Sequence, residues 1–280
     1  PLVSVLVYIL EKSTGSTLEC VMHAFTCLAR HQVFRAPLIE KGCIAAIVHA
    51  IISGKVSSMV VSEEICRCLC LLSYEAPLVE TMITHGHILV VPYSLYKGKL
   101  CNAFCAHMIV VLLRNLSYGG TTNEDSAVME AEDSLFEYQH LQHIPQAAPT
   151  GGPSSSAINA CTSIVEQEGF RLLSWLLQDY DSDGQHSQSL VRAAVVTMHH
   201  LCKVASLHER LVEQGLAKMA LRIALSKEDT FGDEVGSVES ASGAVVSQLS
   251  KHDVFHLTNA VRLVTQSPEV CLRLVNSKII

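Results

Sequence analysis

The groups able to do chemistry in this chain are thiols, imidazoles and carboxylates, and their spacing decides how much they can do. Cys66, Cys68 and Cys70 stand together in the run ICRCLCLL. Three close thiols suggest zinc, but residues two apart on a helix point to different sides, and no second close pair stands at zinc-ligand spacing. They read as core thiols, the usual fate of free cysteine. His199 and His200 are adjacent and diverge by about 100° around a helix, so they do not aim at one ion. His85 and His87 flank Gly86 and read as a solvated turn. There is no Gly-rich phosphate loop, no nucleophile serine on a strand-turn-helix elbow and no helical His pair bracketing a Glu. The reading is of a protein that is not an enzyme, with no catalytic residue, metal or cofactor.

The elements that would position such groups are helices. Of 280 residues 49% are hydrophobic but only 5% aromatic, with one Trp, so the core is built from Leu, Val, Ile, Ala and Cys. A formal charge of −7 gives no electrostatic footprint for nucleic acid. No segment reaches the roughly 18 uninterrupted apolar residues of a membrane span. Eleven cysteines, an odd number, lie inside apolar helical runs, which implies unbridged thiols in a reducing compartment, the cytoplasm or the nucleus. The chain begins at Pro1 and Leu2 to Leu10 lacks a signal peptide's flanks, so a start cut from something longer is expected.

Internal spacing organises the rest. The helical runs HAFTCLARH, CRCLCLLSY and MIVVLLRNLSYG place Leu28, Leu72 and Leu116 at the same point, 44 residues apart both times, and VVTMHHLCKVA places Leu201 there. A short helix ending in glycine follows: Gly42, Gly86 and Gly215 each stand 14 residues after their leucine. The third unit reaches Gly169 after 53 residues, the same 14 plus an insertion of 39. Val61, Ile65, Leu69 and Leu72 recur at three and four, the stripe of an amphipathic helix. Glycine takes the left-handed backbone that ends one helix and starts the next at a steep angle. One unit therefore reads as short helix, glycine corner, second helix, loop and long third helix, burying its stripe only by stacking on its neighbour. Pro92 is expected to kink or delay the second helix after Gly86.

LLRNLS followed by a helix ending in glycine, with a period in the forties, resembles the armadillo repeat. The likeness covers residues 1–118 and 158–226, and continues to 280 with two competing registers after 239, AVVSQLS and AVRLVTQSPEVCLRLVNSK. It implies an all-α, right-handed α-solenoid of three-helix repeats, opening and closing on unfinished units. Third helices line a concave groove in that family, and some members carry an Asn ladder there. The matching column here is Cys27, Leu71, Asn115 and His200, with His23, Arg67, Val111 and Val196 where the accompanying Trp would stand. One Asn and no Trp argue against a receptor for basic localisation signals.

One turn further back stand Glu19, Glu63, His107 and Arg192. Spacings of 4 and 8 keep these levels on one helical face. The expected partner-binding face is thus Glu19, His23, Glu63, Arg67, His107, Asn115, Arg192 and His200, holding a protein partner as peptide or helix, against the plainer reading of a solvated surface. The leucines one position away are expected to be buried. The 119–157 insertion is rich in Gly, Ser, Thr and Pro, with six carboxylates and no Lys or Arg, and a disordered loop is expected. Within it Leu135, Phe136, Tyr138, Leu141 and Ile144 could form one face of a short acidic helix. The resemblance also admits a regulatory factor for a GTPase or chaperone. Changed nucleotide release would favour that alternative, and binding of isolated peptides a scaffold.

Overall fold

The computed structural model describes residues 2–85, 87–118, 155–180, 184–225 and 251–266. The corner at Gly86, residues 119–154 of the insertion, AVVSQLS and everything after 266 lie outside them. Among the described residues every regular element is helical, with no strand. The first stretch carries α1 (Leu2–Lys12), α2 (Gly15–Ala29), α3 (Gln32–Glu40), α4 (Cys43–Ile52), α5 (Met59–Leu72), α6 (Val79–Thr84), α7 (Val90–Lys97) and α8 (Ala103–Tyr118). Then come α9 (Ser155–Glu166), α10 (Gly169–Tyr180), α11 (Gly184–Cys202), α12 (His208–Glu213), α13 (Leu216–Leu225) and α14 (Lys251–Thr265). Because α9 starts at Ser155, the last three residues assigned to the insertion belong to a helix instead.

Like helices pack in rows. The long helices α2, α5, α8, α11 and α14 each pack against the next, as do α1, α4, α7 and α10, while α6 packs against α9. The apolar stripes meet in one buried cluster running from Leu10 to Val264. Leu72, Leu116 and Leu201 are fully buried in it. Leu28 is not: Phe25 and Ala29 fill the buried positions at the end of α2, leaving Leu28 half-buried at the core's edge. Apolar side chains also face outward on both terminal described helices, Leu2, Val5 and Tyr8 on α1 and Val254, Phe255 and Val261 on α14. No single described helix is long and apolar enough to cross a membrane.

The corners follow the glycines in two units. Gly42 (φ 81°) joins α3 to α4 and Gly215 (φ 102°) joins α12 to α13, both left-handed. The third unit differs by one residue. Its left-handed residue is Glu168 (φ 62°), and Gly169 is already the first residue of α10. A Cβ on Gly169 would lie 2.8 Å from both the carbonyl oxygen and Cγ2 of Ile164, so close approach, not backbone handedness, requires glycine there. Pro92 falls in the first turn of α7, where its missing N–H has no intrahelical partner, and the helix begins at Val90, four residues beyond Gly86.

Two of the long helices, α2 and α11, are closed at their ends by buried side chains. Arg35, 2% exposed, donates to the Ala29 and Arg30 carbonyls at 2.8 and 3.2 Å. His208, again six residues after the carbonyl it reaches, sets Nε2 2.7 Å from Cys202 O. Each satisfies carbonyls that a helix C-terminus leaves without partners. Beyond Cys202 the chain turns sharply, segments Ser189–Cys202 and Ala205–Glu213 meeting at 104°.

Candidate functional site

The three clustered thiols point three ways, as helical geometry dictates. Cys68 meets Cys43 of α4, Cys66 meets Cys105 of α8, and Cys70 Sγ lies 3.7 Å from the Tyr74 hydroxyl. All are buried. The hydrogen bond to Cys105, then burial, holds the Cys66 thiol well above its ordinary range. The adjacent imidazoles diverge likewise. His199 Nδ1 lies 2.5 Å from His256 Nδ1 of α14, while His200 turns to α8, 5.1 Å from the Tyr118 ring. Among the described residues no three His, Cys, Asp or Glu side chains could hold a metal ion.

Of the eight residues expected on the binding face, Asn115 is a correction. It is 1% exposed, closed to any partner, and bonds inside the stack. Its Nδ2 donates to Ser73 Oγ at 3.0 Å, and that hydroxyl donates to Cys70 O at 2.6 Å. His200, its counterpart, is half-buried and wired the same way: Nδ1 lies 3.2 Å from Ser117 Oγ, whose hydroxyl donates to Arg114 O at 2.8 Å. Ser117 Oγ thus links the His200 ring to the Arg114 carbonyl. Ser73 and Ser117 stand 44 residues apart, as do Cys70 and Arg114. The column therefore stitches one long helix to the preceding one. Burial, then the charges of Lys203, His199, His256 and Arg114, holds the His200 imidazole well below its ordinary 6.5 and so neutral.

The remaining six stay on or near the surface. Glu19 and His23 of α2 are exposed, and Glu63 and Arg67 of α5, His107 of α8 and Arg192 of α11 are half-exposed. A residue absent from the expected set ties several together. Glu64 takes Arg67 Nη1 on Oε1 at 2.5 Å, and His23 Nδ1 lies 3.7 Å from the same oxygen. Arg67 also lies over the Phe104 ring of α8, 5.0 Å from its centroid. Glu63 Oε1 accepts from Asn102 Nδ2 at 2.7 Å, while Asn102 Oδ1 caps the start of α8 by accepting from the Cys105 N–H at 2.9 Å. His23, Glu63 and Arg67 thus join one surface across α2, α5 and the entrance of α8; His107 and Arg192 occupy the same row on the next two long helices. The signal for Glu64 was in the sequence, since Glu64 and Arg67 stand at i,i+3. Its reach to α2 was not.

No protein-family model, curated protein or solved structure matches the chain.

Proposed function

We propose that this chain is a right-handed α-solenoid of armadillo-like repeats that holds a partner protein, as peptide or helix, along the face of its third helices, α2, α5, α8 and α11. The repeat reading is supported by rows of like helices, by the serine wire recurring at 44 residues, and by Arg35 and His208 closing corresponding helix ends. Ten described cysteines are unbridged, which supports a reducing compartment, the cytoplasm or nucleus.

Arg67 carries the docking reading. Its side chain is 23% exposed, and its guanidinium is held between the Glu64 carboxylate and the Phe104 ring. An arginine already held in one geometry loses little entropy when it meets a partner, and its planar fork matches the geometry of a carboxylate. With His23 meeting the same Glu64 oxygen and Glu19 exposed on α2, the surface suits a segment of mixed charge. The test is affinity capture with wild-type, Arg67→Glu and Arg192→Glu chains of unchanged circular dichroism. A like-charge clash is expected to cut recovery of a bound protein about tenfold or more in both variants. Undiminished recovery of every partner by both would sink the reading.

A further inference from the structure

A second surface, on the row of second helices, holds a lysine ammonium over aromatic rings. Tyr93, Tyr96 and Lys97 lie on α7, and Trp175 and Asp179 on α10. The Trp175 ring stacks on Tyr96, centroids 5.6 Å apart and planes 13° apart, with Tyr93 at 6.3 Å and 41°. Lys97 Nζ lies 4.6 Å from the Trp175 centroid and 5.6 Å from that of Tyr93. Beside them the Tyr96 hydroxyl donates to Asp179 Oδ2 at 2.7 Å, bringing a carboxylate to the rim. Tyr93, Lys97 and Asp179 are exposed, and Tyr96 and Trp175 half-buried.

Aromatic faces present negative charge to a cation, and the nearby carboxylate adds to it. The chain's own ammonium already sits there. That ammonium is strongly hydrated and lies on a flexible exposed stem, so leaving the rings for water costs it little. A trimethylated ammonium keeps the charge, gives up less hydration and covers the rings with methyl groups, so it gains more from the same faces. We infer that Tyr93 and Trp175, the indole backed by the stacked Tyr96 ring, form a docking site for a trimethylated lysine side chain of a partner peptide, with Lys97 as a tethered occupant that closes it. The site is separate from the third-helix face and stands or falls without it.

Trp175 is the single tryptophan of the chain, so its fluorescence reports this site alone. The full chain and its Lys97→Gln variant are titrated with a short peptide carrying trimethyllysine and with the same peptide carrying unmodified lysine. Lys97→Gln is expected to bind the trimethylated peptide about tenfold tighter than either the unmodified peptide to itself or the trimethylated peptide to wild type. Tetramethylammonium chloride is expected to compete. Tyr93→Ala, at an exposed position, is expected to abolish the preference, read by calorimetry with circular dichroism unchanged. Equal binding of both peptides to Lys97→Gln, no competition by tetramethylammonium, or an unchanged preference in folded Tyr93→Ala overturns the inference.

Discussion

A buried hydrogen bond adds only about 0.5–1.5 kcal/mol net, yet stranding one of its partners costs about 1–3 kcal/mol. Asn115 and Ser73 form such a pair, and the corresponding positions one unit earlier hold Leu71 and Ala29, both apolar. Asn115→Leu alone is therefore expected to cost about 1–3 kcal/mol, because Arg114 loses its acceptor and Ser73 its donor. Adding Ser73→Ala recreates the Leu and Ala pair, and the double variant should be less destabilised than the sum by about 0.5 kcal/mol or more. Strict additivity in a urea double-mutant cycle would deny the pairing. His200 adds a pH dependence. Its folded pKa lies below 6.5, so under acid the unfolded chain takes up a proton that the folded chain refuses. Stability is untouched above about pH 6.5 and declines below it. The urea midpoint should fall from about pH 7.5 to about pH 5.5, and His200→Asn, which copies the Asn115 wire without a titrating group, should lessen that fall.

At the scale of elements the corner before α10 separates what spacing can tell from what it cannot. Counting 14 residues plus the insertion led to Gly169, and a corner is there, but the left-handed residue is Glu168. The spacing marks where two helices must part. It does not say which neighbour turns, because that depends on how closely α10 approaches Ile164 of α9. Glu168→Gly is expected to be neutral or stabilising by up to about 1 kcal/mol, since glycine adopts a left-handed backbone without penalty and the exposed bridge from Glu168 to Arg171 is worth little. Gly169→Ala is expected to cost about 1–3 kcal/mol by overpacking against Ile164. Thermal melts compare the two, and the opposite order would show that handedness governs the position. The binding face divides the same way. Helical periodicity put Glu19, His23, Glu63 and Arg67 on one side because that follows from 3.6 residues per turn. It could not reveal that Asn115 faces the next helix, or that Glu64 bridges α2 and α5, because those contacts depend on the stagger between helices.

At the scale of the whole molecule the helical class was legible from composition and period, since stripes at three and four with few aromatics leave stacked helices as the way to bury them. The packing of like helices in rows adds that long helices meet chiefly their neighbours in the row, α2 with α5, α5 with α8, α8 with α11 and α11 with α14. If the rows form a one-dimensional stack of repeats, stability is a sum of unit and nearest-neighbour contributions and damage should stay local. Phe25, fully buried in α2, offers the test. Phe25→Ala removes a large side chain from the core and is expected to cost about 3–5 kcal/mol. In a single cooperative globule that loss would lower protection everywhere by the same amount. In a one-dimensional stack it weakens α2 and the helices packed on it, α1, α3 and α5, while α11 and α14, separated from it by α5 and α8, keep their own contacts. Hydrogen exchange followed by mass spectrometry should therefore show faster exchange in peptides from residues 2–40 and 59–72 and wild-type rates in peptides from 184–202 and 251–265. A uniform rise across all of these segments would contradict the solenoid reading, because it would require each unit to depend on contacts reaching well beyond its neighbours.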